Sequence, residues 1–120
     1  MIQLFGHPFS SYTWKALIPF YENDIPFEFR MLDPDHPENG AAFAALWPVG
    51  KFPLLVDDGV PVMESSTIVE YVAPNLIPAD RAPAIEVRML DRVFDNHVMN
   101  MMTQVVFDAL RPEGERDTAR

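Results

Sequence analysis

Residues Ile2 to Phe5 form a compact apolar run closed by Gly6, the pattern of a buried strand. From Ser10 the period lengthens. Trp14, Leu17, Ile18 and Tyr21 recur at i, i+3, i+4 and i+7, which predicts a helix with those four side chains on its buried face. Pro19 falls inside that helix and is expected to bend it, because it lacks an N–H and crowds the carbonyl of Lys15. After Glu22-Asn23-Asp24, Phe27, Phe29 and Met31 alternate with Glu28 and Arg30, the signature of a second strand. Strand, helix and strand in so short a span make a βαβ unit, whose crossover requires parallel strands.

Asp33 to Gly40, with two prolines and several acids, reads as a loop, and Ala41 to Leu46 as a short helical piece. WPVGKFP, residues 47 to 53, is turn-rich and leads into a third strand at Leu54-Leu55-Val56. Asp57-Asp58-Gly59 predicts a hairpin turn, since Gly and Asp tolerate positive φ, and Val60 to Met63 is the returning strand. Ser65 then opens a helix whose apolar face is expected to hold Ile68, Val69, Tyr71 and Val72. Three prolines between Pro74 and Pro83 give that stretch linker character. Ala84 to Leu110 reads as one long helix. Its Met89, Leu90, Val93, Phe94, Met101, Met102, Val105 and Val106 cover so much of the circumference that it is expected to pack on two sides. The polar tail from Arg111 is expected to fray. The fold class is therefore α/β: β-α-β, a short helix, then β-β-α, giving a mixed four-stranded sheet, followed by an all-α segment.

Composition narrows the function. The 120 residues are 48% apolar, ample for a core, and no apolar run is long enough to span a membrane. No basic stretch followed by a long apolar one opens the chain, so a cytoplasmic location is expected. A net charge of −9 repels phosphate backbones and anionic lipids, arguing against nucleic-acid and membrane partners. Cysteine is absent, which removes disulfides, thiolate metal sites and redox cycling on the protein's own sulfur. His97 near Asp95 offers two metal ligands without a third at useful spacing, so no metal is expected. Met99, Met101 and Met102 suit a helix core or a subunit interface better than a pocket for apolar ligands.

The order of elements is the thioredoxin arrangement, and two stretches sharpen it. GKFPLLVDDGVPVMESSTIVEYV, residues 50 to 72, resembles the segment of glutathione transferases that holds glutathione; PFSSYTWKALIPFYENDIPFEF resembles their first helix and second strand. The resemblance runs from residue 2 to about 76. It implies a thioredoxin-like glutathione-binding domain over 1–77, a linker over 78–83, and over 84–120 the start of a helical domain that is expected to be truncated. It also implies a homodimer, a small electrophilic substrate, glutathione as co-substrate and a role in detoxification. The expected activity is conjugation of the glutathione thiolate to that electrophile. A non-catalytic binding domain and a glutathione-dependent peroxidase or isomerase are the alternatives.

By the same resemblance Pro53 is a cis-proline, and Phe52 presents its backbone to the cysteinyl part of glutathione as a strand would. Glu64 accepts from the γ-glutamyl ammonium, while Ser65 and the helix start behind it receive the carboxylate. Lys51 and, more weakly, His36 are candidates for the glycyl carboxylate. Read without the resemblance, Glu64-Ser65 is an ordinary helix cap behind a surface acid. The thiol-activating hydroxyl is expected at the first helix: Ser10 leads, since it lies fifteen residues before Ile25 as the family spacing requires. Ser11 is the runner-up and Tyr12 a third candidate. His7 does not match a nucleophile-elbow arrangement and is left as a bystander.

Overall fold

The computed structural model describes residues 1–117. The four expected strands are all present. β1 (Ile2–Gly6), β2 (Phe27–Met31), β3 (Leu54–Asp57) and β4 (Val60–Met63) form one sheet in the order β2-β1-β3-β4. β1 and β2 are parallel, β1 and β3 antiparallel, β3 and β4 antiparallel. The β3–β4 hairpin turns at Asp58 (φ 49°) and Gly59 (φ 80°), two consecutive left-handed residues as a two-residue turn of this hand requires. Paired residues Leu4 and Leu55 project to one face of the sheet, and Phe5 and Leu54 to the other. On the first face α1 (Ser11–Glu22) and α3 (Ser65–Val72) lie together, closing Ala16, Phe20, Ile68 and Val72 over Leu4 and Leu55. On the second, α2 (Pro37–Leu46) sets Phe43 against Phe5, Leu54 and Val56.

The face that α1 buries is not the one expected from its apolar spacing. Thr13, Ala16, Pro19 and Phe20 are buried, whereas Trp14, Ile18 and Tyr21 are each at least 60% exposed. Phe20 fills the inner face between α3 and the sheet, with Ala16 beside it and Leu17, of the expected four, partly buried against the same cluster. Near its start the approach is tight. A Cβ on Gly6 would lie 2.6 Å from Thr13 Cγ2, so only glycine fits between the end of β1 and the first turn of α1.

Two further features differ from expectation, the start of α2 and the buried face of α3. α2 starts at Pro37 and not at Ala41, because proline suits the first helical position and the buried Asn39 fastens the first turn to β2, donating to Met31 O at 2.9 Å. In α3 only Ile68 and Val72 of the expected apolar face are buried; Tyr71 is exposed and donates its hydroxyl to Asp57 at 2.5 Å. After a short 3₁₀ turn at Pro74–Leu76 the chain divides into two compact units, Met1–Ile77 and a second beginning at Pro78.

The second unit is helical. α4 (Arg81–Val93) starts three residues earlier than the pattern indicates, with Pro83 tolerated in its first turn. A π-helical stretch, Phe94–Met99, joins it to α5 (Asn100–Ala109). Within this unit Met89, Val93, Phe94, Met101, Met102 and Val105 of the apolar stripe are exposed. The segment after α5 is not frayed over its described length. Asp108, buried at the end of α5, accepts the backbone N–H of Asp117 on both carboxylate oxygens (3.0 and 3.1 Å) and Arg111 Nη1 at 3.2 Å. No helix among the described residues is long and apolar enough to cross a membrane.

Candidate functional site

Strand register gathers the candidate residues at one end of the sheet. Phe5, near the C-terminal end of β1, is level with Arg30 near the end of β2 and with Leu54 at the start of β3; Leu54 in turn faces Met63 at the end of β4. The segments leaving or entering the sheet there carry Ser10 (after β1), His36 (after β2), Lys51 to Pro53 (before β3) and Glu64-Ser65 (after β4). Helices α1 and α3 both begin at this end. Lys15 Nζ, in the second turn of α1, donates to Ser66 Oγ in the first turn of α3 at 2.8 Å, so the two helix starts stand side by side.

Ser10 is the N-cap of α1. Its backbone is extended (φ −89°, ψ 119°) and its Oγ accepts the N–H of Thr13 at 3.2 Å. Accepting that bond uses one lone pair and leaves the hydroxyl hydrogen to donate elsewhere. Ser11 is the first residue of the helix proper and Tyr12 the second; neither takes the cap position. The turn before the helix is closed by Ser10 N–H to His7 O at 2.9 Å and by Trp14 Nε1 to Pro8 O at 2.6 Å.

Before β3 the chain reverses at Gly50 (φ 72°), whose N–H bonds Trp47 O at 2.9 Å. Lys51 is exposed, Phe52 is 39% exposed, the Phe52–Pro53 peptide is cis, and Pro53 is buried against the start of the strand. Between β4 and α3, Glu64 holds φ 70° and ψ 124°, a conformation that costs a residue with a Cβ on the order of 1–3 kcal/mol. That twist turns the chain from the strand into the helix within one residue and leaves the Glu64 side chain exposed while Ser65 is buried.

His36 takes a different position. It caps α2 by its backbone only, and its ring Nδ1 lies 2.5 Å from Asp33 Oδ1 in a local pair. The bond to Asp33 raises the His36 pKa, and the same bond lowers that of Asp33. His36 thus already has a carboxylate partner, unlike Lys51. No group of three or more metal-ligating side chains occurs among the described residues; Asp95 pairs with Arg92 instead.

The comparisons with known proteins fit this layout. A family profile described as glutathione S-transferase, N-terminal domain, matches residues 4–75, more than half of the chain. The chain belongs to the glutathione S-transferase family. It is 35% identical over 75 residues to glutathione S-transferase F6 of Arabidopsis thaliana, covering 60% of this chain and 35% of that protein. To glutathione S-transferase 3 of Schizosaccharomyces pombe it is 31% identical over 71 residues. The chain thus spans about a third of the length of the curated glutathione S-transferases it matches. Among solved structures, a glutathione S-transferase from Methylobacillus flagellatus with glutathione bound superposes with a TM-score of 0.82 at 30% identity, over 99% of this chain and 60% of that one. An Anopheles dirus glutathione S-transferase at 20% identity also reaches 0.82, a likeness of fold. The thioredoxin-like sheet with its helical sequel is therefore the glutathione S-transferase arrangement. One residue of the site region, His7, carries contacts that motif reading passed over; its only signal in the sequence is its place immediately before Pro8.

Proposed function

We propose that this chain binds glutathione at the common end of β1, β3 and β4 and, with Ser10, holds its sulfur as a thiolate for attack on a small electrophile. The observation that carries the reading is the convergence of the two helix starts and the Phe52–Pro53 segment at one end of the sheet, with a capping serine whose hydrogen is available. Likeness to a transferase with glutathione bound supports it. Phe52 offers its backbone to the cysteinyl part, and Ser65 and the start of α3 receive the γ-glutamyl carboxylate. Glu64 takes the ammonium, and Lys51 suits the glycyl carboxylate better than His36, whose ring is engaged by Asp33. At Ser10 the hydroxyl donates to sulfur. The bond from Thr13 N–H polarises that hydroxyl, and the α1 N-terminus adds partial positive charge; both favour thiolate over thiol. The thiol proton leaves to solvent on binding, the thiolate forms a C–S bond to the electrophilic carbon, and the leaving group departs with its electron pair. The substrate is a small electrophile, the working form a homodimer and the setting cytoplasmic.

Glu64 provides a test in which stability and binding move in opposite directions. Glu64→Gly relieves the positive φ and is expected to stabilise the protein by about 1 kcal/mol in chemical denaturation. It also removes a charge-assisted bond to the ammonium, so calorimetric titration should show glutathione affinity falling by about tenfold or more. Unchanged affinity in that variant, or no glutathione binding by the parent chain, sinks the proposal.

A further inference from the structure

We infer that His7 is a positioning residue whose neutral imidazole holds the turn that presents Ser10. The turn His7-Pro8-Phe9-Ser10 is closed by Ser10 N–H to His7 O at 2.9 Å, with proline at its second place. Turns of this kind favour Asp, Asn or Ser at the first place, where a side-chain acceptor takes the N–H two residues on. Here the imidazole does that work: Phe9 N–H donates to His7 Nδ1 at 3.0 Å. The backbone N–H of His7 points to Thr13 Oγ1 at 3.4 Å, and Thr13 N–H is itself the donor to Ser10 Oγ. The ring stacks on that of Phe9, centroids 6.1 Å apart and nearly parallel at 8°. His7 thus touches the turn at both ends and through its middle, next to the one hydroxyl assigned to the sulfur.

An acceptor at Nδ1 requires the lone pair there, so the ring must be neutral with its hydrogen on Nε2. Protonation converts Nδ1 into a donor facing another donor, and the Phe9 bond is lost. A neutral ring at His7 therefore closes the turn and a charged one opens it. Charged groups on the neighbouring elements are Lys15 on α1, engaged by Ser66, and Arg30 on β2, paired with Glu28. Lys51 before β3 and Glu64 after β4 share this end of the sheet. The consequence for sulfur rests on the function proposed above; the turn itself does not.

The test combines amide NMR with glutathione titration across pH for the parent chain, His7→Asn and His7→Leu. Asparagine places Oδ1 where Nδ1 stood and cannot be protonated in this range, so it should keep the bond and remove its pH dependence. In the parent the Phe9 amide resonance should move together with the His7 ring titration. In His7→Asn it should stay fixed, and in His7→Leu it should sit at the unbonded position at every pH. The thiolate fraction of bound glutathione near neutrality should be about fivefold lower in His7→Leu, near parental in His7→Asn, and lose its acid limb there. A Phe9 amide that ignores the ring titration overturns the inference, even if glutathione binds as proposed. A Phe9 amide that follows it in a chain that binds no glutathione upholds the His7 turn and overturns the function. If the amide follows the ring but the thiolate does not, His7 shapes the turn without positioning Ser10.

Discussion

Ser10→Ala is expected to lose about 1 kcal/mol of stability and, separately, to raise the thiol pKa of bound glutathione toward its value in water. The first loss is that of a helix cap: Thr13 N–H is left without its side-chain acceptor. The second is that of a donor aimed at developing negative charge, a kind of contact whose removal slows reactions by roughly 10²–10³. Ser10→Asp separates the two. Aspartate caps helices as well as serine, so denaturation midpoints should stay close to the parent's. Its carboxylate beside the sulfur would nevertheless oppose thiolate formation, and the absorbance of bound thiolate should disappear near neutral pH. Stability and chemistry falling together in both variants would mean that Ser10 acts only by capping. A raised pKa in Ser11→Ala, with Ser10→Ala unchanged, would move the contact one residue along.

Phe20→Ala carries the largest expected structural effect. Phe20, on the inner side of α1, is fully buried, its ring 4.4 Å from that of Phe27 and packed among Leu4, Ala16, Leu55, Ile68 and Val72. Truncating such a side chain costs about 3–5 kcal/mol through lost transfer energy and the cavity left behind. Against a total of about 5–15 kcal/mol for a domain, that is a large share. Ile18, two residues earlier, is 61% exposed, and Ile18→Ala should stay within about 0.5 kcal/mol of the parent, helped by the better helix propensity of alanine. Urea denaturation of the two variants decides which side of α1 is core. Equal costs would show that the helix buries its Ile18 face as well.

That contrast also marks where reading the pattern of residues succeeds. Two strand pairings follow from alternation and connection length: Phe27-Glu28-Phe29-Arg30-Met31 can pair in parallel with β1 because a helix intervenes, and Asp58-Gly59 can only make a tight reversal, whereas the antiparallel pairing of β1 with β3 comes from the structure. The face of α1 was not legible, because Trp14, Ile18 and Tyr21 outweigh Thr13, Ala16 and Phe20 in apolar signal. Burial there follows from which residues face α3 and the sheet, which side-chain hydropathy alone does not encode. The early start of α2 depends on Asn39, a buried amide that looks like loop composition until its bond to Met31 is seen. The π-helical turn at Phe94–Met99 has no residue signature of its own.

For the site, the segments were legible as motifs and their meeting at one sheet end followed from topology. Residue spacing ranked Ser10 ahead of Ser11; the structure adds that Ser10 is the cap, its Oγ accepting the N–H of Thr13. His36 was already the weaker candidate beside Lys51, and the Asp33 carboxylate on its ring adds a contact that residue order does not reveal. His7 was passed over because a histidine accepting at Nδ1 does a task that turn rules assign to asparagine and aspartate.

The most direct measurement is a crystal structure of this chain soaked with glutathione. It should show the tripeptide lying along Phe52, its γ-glutamyl end at Glu64-Ser65, and the sulfur within hydrogen-bond reach of Ser10 Oγ. Glutathione bound at that sheet end with its sulfur against Ser11 or Tyr12, or bound elsewhere altogether, would contradict the assignment of Ser10 as the group that holds the thiolate.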